Sequence, residues 1–347
     1  ILKSLSIKKL NANAYFQLSR LSDDNLNMRI KNSIISIDVD KFKRNIEKAE
    51  VHFAKSNIFH KNKDYILSSE NLIEANKIKL KIYPSDSSNV IEFTNKLYNN
   101  DQKTNYEIDN FQKSKVNSIF IVGMPRCGST LIESILSMKK NVYPLGENNN
   151  LFSSYKNCNK ESDFSHLEEI YTQIKSMSLP KGTTVTTDKY LYNYVFSGLI
   201  CQNFKGARII HCKRDPLDNI LSIFRANFSH AYRYSSCIKS ITKVLINQEI
   251  IMNQYLEKYN NKIYSLNYDK LVSNPKEEIL KLIEWLGWEW DNIYTEPHLN
   301  KRDVLTASNI QVRSPINSNS SGIWKKYIDM LAPAISILKE SNIDFKL

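Results

Sequence analysis

Residues Ile119–Leu136 read IFIVGMPRCGSTLIESIL. Ile119-Phe120-Ile121-Val122 is an apolar run without alternation, β-branched and aromatic, the pattern of a strand buried on both faces as in parallel sheets. Leu131–Met138 carries apolar residues at helical spacing. Between the two lies Gly123-Met124-Pro125-Arg126-Cys127-Gly128-Ser129-Thr130, a G-x-x-x-x-G-x-[ST] frame joining strand to helix. Such a frame turns backbone N–H groups toward an anion at a helix N-terminus. Loops that hold ATP or GTP need a Lys after the second Gly to reach the outer phosphates. Here that position is Ser129, and the basic residue sits earlier, at Arg126. A ligand with one phosphate and a transferable group just beyond suits this loop better than a triphosphate does.

Working outward, Arg208–Cys212 and Lys262–Leu266 read as further buried strands, and Pro216–Phe228 as a helix. Strands alternating with helices predict an α/β fold: a central, doubly wound parallel sheet with flanking helices, its ligands lying beyond the strands' carboxyl ends. Upstream the texture differs. All eight glycines and all five cysteines come after residue 122, and Pro84 is the only earlier proline. This stretch reads as helical. Asp38 is expected to cap a helix through Phe42, Ile46, Ala49, Phe53 and Ile58. A second helix is expected from Asp64 to Lys81, ended by Pro84, and a third from Ile91 to Tyr98. A helix pair joined by a polar turn and closed by Pro has the shape of one tetratricopeptide repeat, and a plain helical subdomain fits equally. The expected division is an α-helical, repeat-like segment over 1–112 and an α/β domain over 113–347.

Composition sets outer limits. With 347 residues, 41% hydrophobic and 24% charged, the chain can build a substantial core and is not wholly disordered. No apolar run approaches the ~20 residues of a membrane span. The cysteines are odd in number and form no C-x-x-C pair, which argues against a disulfide framework or zinc site and suits a reducing, cytoplasmic compartment. The acidic residues of the loops are dispersed, so no metal is expected. The net charge of +12 favours polyanionic ligands without naming one. Trp285, Trp288 and Trp290 read as core, and nothing in the pattern reads as nucleic-acid recognition.

The loop core P-R-C-G-S-T resembles the 5′-phosphosulfate loop of sulfotransferases that use 3′-phosphoadenosine 5′-phosphosulfate (PAPS), most closely the tyrosylprotein sulfotransferase branch and its bacterial tetratricopeptide-bearing relatives. Further elements match in order. Leu145-Gly146-Glu147 resembles the G-E that supplies the base. Thr187-Asp188-Lys189 resembles the D-K whose lysine lies beside the leaving phosphosulfate. Arg214-Asp215-Pro216-Leu217-Asp218 with Ser222 resembles the 3′-phosphate element. Asn267–Leu271 resembles Y-E-x-L, with Asp269 in place of Glu, and Thr306–Ile316 with Gly322-Ile323-Trp324 resembles the segment that covers the cofactor. The resemblance implies a P-loop-like sulfotransferase fold. It assigns Glu147, Arg126 and Lys189 to catalysis, and Pro125, Arg126, Cys127, Gly128, Ser129, Thr130, Arg214, Ser222, Tyr268, Ser308 and Arg313 to the cofactor. The acceptor it implies carries a free hydroxyl, on a peptide, glycan or small molecule. Departures are Cys127 where Ser is commoner, Tyr190-Leu191 where relatives continue Met-Pro, and Leu305 where they often carry Arg. Two rivals remain at this stage: a P-loop nucleotide kinase, and a non-catalytic helical-repeat scaffold with a nucleotide-binding domain.

Overall fold

A computed structural model describes residues 11–21, 28–102, 115–158, 163–177, 179–229, 232–300 and 313–341. In chain order its regular elements are α1 (Ala12–Ser19), α2 (Met28–Ile35), α3 (Asn45–Lys61), α4 (Tyr65–Ile82), α5 (Ser88–Gln102), β1 (Ser118–Gly123), α6 (Ser129–Leu136), β2 (Val142–Pro144), α7 (Asn150–Cys158), α8 (Leu167–Ser176), β3 (Val185–Asp188), α9 (Ser197–Asn203), β4 (Ala207–Lys213), α10 (Pro216–Phe224), α11 (Ile238–Lys258), β5 (Ile263–Asn267), α12 (Tyr268–Ser273), α13 (Pro275–Trp285) and α14 (Ile328–Glu340). They group into two compact units: 1–89 with 216–246 and 322–347, and 90–215 with 247–321.

The second unit holds a five-stranded sheet in the order β2-β3-β1-β4-β5, with every neighbouring pair parallel. Alternate residues of the central strands serve opposite faces. Phe120, Val122 and Ile209 join one core with α5, α7, α8 and α9. Ile119, Ile121 and Ile210 join the other with α6 and α13. Two buried faces explain why the strands read as unbroken apolar runs. Trp285, Trp288 and Trp290 pack on the second core. β1 lies at the centre, with β3 and β2 on one side and β4 and β5 on the other, so the loop after β1 occupies the topological switch point.

The first unit is helical. α3 and α4 form a hairpin, joined through Lys63 in the left-handed region (φ 62°). Ser56 and Ser68 contact each other across the pair at 2.9 Å, and His52 Nδ1 meets Asn71 Oδ1 at 3.0 Å. Asp64 caps α4 by accepting from Leu67 N, and the helix stops at Ile82, ahead of Pro84, as its sequence predicts. Asp38 corrects the expectation made for it. It caps only a 3-10 turn, Val39–Lys41, and α3 starts later, at Asn45, with Phe42 in extended backbone between. α10 also ends earlier than expected, at Phe224 rather than Phe228. Asn76 Nδ2 donates to the Phe224 carbonyl at 3.0 Å and Lys79 Nζ to the Phe228 carbonyl at 2.7 Å, so side chains take over acceptors that a further helical turn would have satisfied.

Candidate active site

Each of the five parallel strands is followed within a few residues by one of the side chains singled out in sequence: β1 by Arg126, β2 by Glu147, β3 by Lys189, β4 by Arg214 and β5 by Tyr268. Because all the strands run the same way, these positions share one edge of the sheet.

The loop after β1 is backbone-driven. Gly123 has φ +145°, and a Cβ there would meet the Cys212 carbonyl at 2.6 Å. Gly128 caps α6 with φ +97°, and a Cβ there would come 2.2 Å from the Tyr268 ring. Arg126 itself sits in the left-handed region (φ 69°), a conformation that costs a non-glycine residue energy and concentrates at functional sites. Pro125, Cys127, Ser129 and Thr130 are buried. The Cys127 thiol is hydrogen-bonded to that of Cys212, and Cys127 is the more acidic of the pair.

Arg214 and Tyr268 form the opposite wall of the loop. Arg214 Nη1 donates to the Arg126 carbonyl at 3.0 Å and Nη2 to the Ser320 carbonyl at 2.6 Å. The guanidinium lies 5.0 Å over the Tyr268 ring, and Tyr268 Oη meets Ser320 Oγ at 3.0 Å. Asp269 accepts from Asp215 N at 2.7 Å and Ser321 Oγ at 2.5 Å, fastening the ends of β4 and β5 together. Arg214 Nε is buried with no hydrogen-bond partner, an orphaned donor of the kind an anionic ligand satisfies.

On the other side of the loop, Lys189 is 1% exposed and its Nζ donates to Glu147 Oε1 at 2.9 Å, while the Glu147 side chain remains 40% exposed. Asp188, just before Lys189, is wholly buried. Burial pushes its carboxyl up to about 6, opposed by hydrogen bonds from Tyr190 N and Tyr171 Oη. Asn193 Nδ2 also donates to it, at 3.0 Å.

Three candidates remain: Ser222, Arg313 and Ser308. Ser222 is half-buried on α10, in the helical unit. Arg313 is exposed and donates to the Asn300 carbonyl at 2.7 Å. Asn300 is in turn fastened to Ser134 and Ser137, at the end of α6 away from the loop. Ser308 lies outside the described residues. Sequence reasoning passed over Glu133, Tyr171 and Asn193. The last two sit in segments with no motif, and Glu133 looks like an ordinary polar position of an amphipathic helix.

The sulfotransferase family model matches residues 118–292, just over half of the chain. The chain belongs to the sulfotransferase family. An uncharacterized protein of Aquifex aeolicus (strain VF5) is 32% identical to this chain over an alignment of 244 residues that covers 64% of the chain and 32% of that protein. The chain thus spans about a third of the length of the curated relative it matches. Among solved structures, the sulfotransferase domain of the Synechococcus PCC 7002 olefin synthase is 17% identical (68% of this chain, 98% of that one, TM-score 0.45). Mouse sulfotransferase SULT7A1 complexed with PAP is 13% identical (68% and 90%, TM-score 0.44). Retinol dehydratase in complex with retinol and PAP is 15% identical (72% and 87%, TM-score 0.43).

Proposed function

We propose that this sulfotransferase moves a sulfuryl group from PAPS to an acceptor hydroxyl, tyrosyl, sugar or other, with Glu147 as the general base. PAPS, when bound, supplies the activated sulfuryl group, and adenosine 3′,5′-bisphosphate (PAP) leaves. The rest is work for the chain's own residues. The Gly128–Thr130 amides at the N-terminus of α6, with Arg126, hold the 5′ end. Arg214 and Tyr268 hold the nucleotide on the β4–β5 side, and the family resemblance adds Pro125, Cys127, Ser222, Ser308 and Arg313. Lys189 stabilises charge on the departing oxygen, and Glu147 takes the acceptor proton, help of a kind worth ~10²–10⁴-fold in rate. The resemblance also favours the tyrosylprotein sulfotransferase-like branch, with α3–α4 as a single tetratricopeptide-like hairpin.

The observation that carries this reading is the Lys189–Glu147 contact beside a phosphate-type loop that has Ser129 where a nucleotide kinase needs Lys. The test is a thermal-shift titration with PAP, ADP, and ATP with Mg²⁺. A ligand at 100 times its Kd stabilises the native state by about 2.7 kcal/mol. PAP alone is expected to raise the midpoint, and Arg214→Ala to remove the shift. A shift with ATP and Mg²⁺ but not PAP would establish the kinase reading instead. Radiolabelled transfer from PAPS to 2-naphthol and to acidic Tyr-containing peptides then sorts acceptors and separates the enzyme from a non-catalytic scaffold.

A further inference from the structure

Glu133 lies on the second turn of α6, one turn beyond the phosphate-type loop, and is 2% exposed. Its Oε1 accepts from the Gly146 backbone N at 3.2 Å and from Thr187 Oγ1 at 3.2 Å. These two donors flank the proposed reacting pair: Gly146 immediately precedes Glu147, and Thr187 lies two residues before Lys189. The two segments are also tied to each other. Leu145 N donates to the Thr187 carbonyl at 2.8 Å, and Lys189 N to the Gly146 carbonyl at 2.9 Å. Gly146 makes this turn in the left-handed region (φ 67°), so its N–H is aimed by a backbone conformation that other residues resist.

A buried carboxylate is costly unless its oxygens are taken up by donors. A carboxylate is purely an acceptor, and here it gathers a backbone N–H from the loop after β2 and a hydroxyl from the end of β3. An apolar residue would fill the same space on α6 without that cost. We infer that Glu133 is a positioning residue: it anchors the loops bearing Glu147 and Lys189 to the helix whose N-terminus forms the phosphate-type loop, and so sets base and lysine in register with the group to be transferred. The inference rests on the reading of Glu147 and Lys189 as the reacting pair.

The test compares Glu133→Ala, Glu133→Gln, Thr187→Val and Glu147→Ala in the full chain. One readout needs no acceptor: amide hydrogen exchange at Gly146 and Lys189, alongside the Kd for PAP. The other is kcat and KM for PAPS with 2-naphthol as the acceptor probe. For Glu133→Ala the expected result is at least tenfold faster exchange at Gly146, a PAP Kd within threefold of the parent, and kcat lowered 10–100-fold with KM for PAPS little changed. Glu133→Gln, which keeps an oxygen acceptor of the same reach, restores exchange and kcat to within about fivefold. Thr187→Val removes one donor, leaves the helix untouched, and is expected to lower kcat by less than Glu133→Ala does. It carries the test if Glu133→Ala does not fold. Unchanged exchange at Gly146 overturns the anchoring role. So does a parallel loss of PAP affinity and kcat that Gln fails to rescue, which marks Glu133 as merely structural. If Glu147→Ala leaves kcat intact, the reading of the pair itself falls, and the exchange data still judge the anchor separately.

Discussion

Lys189 Nζ lies 2.9 Å from Glu147 Oε1, joining an ammonium that is 1% exposed to a carboxylate whose side chain is 40% exposed. The buried partner cannot reorient freely, so the exposed one is held where it meets solvent. Under the proposed function, Glu147→Gln lowers the rate of sulfuryl transfer by ~10²–10⁴-fold, the usual value of general-base help. PAP binding stays within threefold. Single-turnover transfer to 2-naphthol together with calorimetric titration of PAP checks both halves.

Gly128 has no room for a side chain, since a Cβ would sit 2.2 Å from Tyr268 Cδ2 and 2.8 Å from Cε2. Gly128→Ala is therefore expected to displace the Tyr268 ring or the loop, and to raise the Kd for PAP by more than tenfold. Adding Tyr268→Ala relieves the clash, leaving the cost of a left-handed φ, about 1 kcal/mol, beside the loss of the ring's own contacts with Arg214 and Ser320. Gly128→Ala should then cost less stability to denaturant in the Tyr268→Ala background than in the parent, and an equal cost would show that the ring is not what confines position 128.

Asp188 carries a pH dependence of definite sign. Its carboxyl titrates at about 6 in the folded protein against 3.8 ordinarily, chiefly through burial. The native state thus holds a proton that the unfolded chain has released. This contribution is complete below pH 3.8 and is lost as pH rises through 6, amounting to about 3 kcal/mol. Urea unfolding of the parent and of Asp188→Asn at pH 4 and pH 7 should show the parent losing that amount relative to the variant at the higher pH.

His60 works in the opposite direction. Burial first, then the neighbouring Arg225 and Lys61 cations, lower it to about 3. Its Nδ1 faces Tyr327 Oη at 2.7 Å, and Arg225 Nη1 lies 3.0 Å from Nε2, so the neutral ring accepts from the guanidinium and donates to the phenol. The native state excludes a proton that the unfolded chain takes up below pH 6.5. Stability supplied by His60 is present above pH 6.5 and falls by up to about 3 kcal/mol on acidification to pH 4. His60→Gln should flatten that limb of the curve, and an unchanged acid limb would show that His60 does not govern it.

Cys127, Cys158, Cys201 and Cys212 are buried free thiols, and Cys237 is half-buried. A thiol-directed chromogenic reagent should therefore label Cys237 in the native protein and the other four only after denaturation. Native labelling that survives Cys237→Ser would contradict the burial of at least one of the other four.

The legible parts of the sequence were those where one force dominates. β1 and β4 announce themselves because both their faces are apolar cores, and the loop after β1 because glycine is required where φ is positive. β3 stayed hidden because Val185-Thr186-Thr187-Asp188 is polar by composition, yet all four residues are buried. Their polarity is cancelled by partners distant in sequence: Lys175 to Thr186, Glu133 to Thr187, and Tyr171 and Asn193 to Asp188. β2 is three residues long, lies at the sheet edge and ends in Pro144, too short for any periodicity to show. Within the candidate site, the motif residues were visible one at a time. Glu133, which links two of their loops, was not, because its importance lies entirely in contacts across the fold.

The order β2-β3-β1-β4-β5 also works as a ruler. Neighbouring strands are ~4.8 Å apart, so the positions after β2 and β5 are separated by on the order of 19 Å along the sheet edge. Under the proposed function, that axis reads proton acceptor, lysine, phosphate loop, arginine, aromatic wall. Chemistry is laid out at one end and nucleotide recognition at the other. Changes at the β2 end can retune which hydroxyl is served while the donor end keeps its grip, so new acceptors are reachable by altering one margin of the sheet alone.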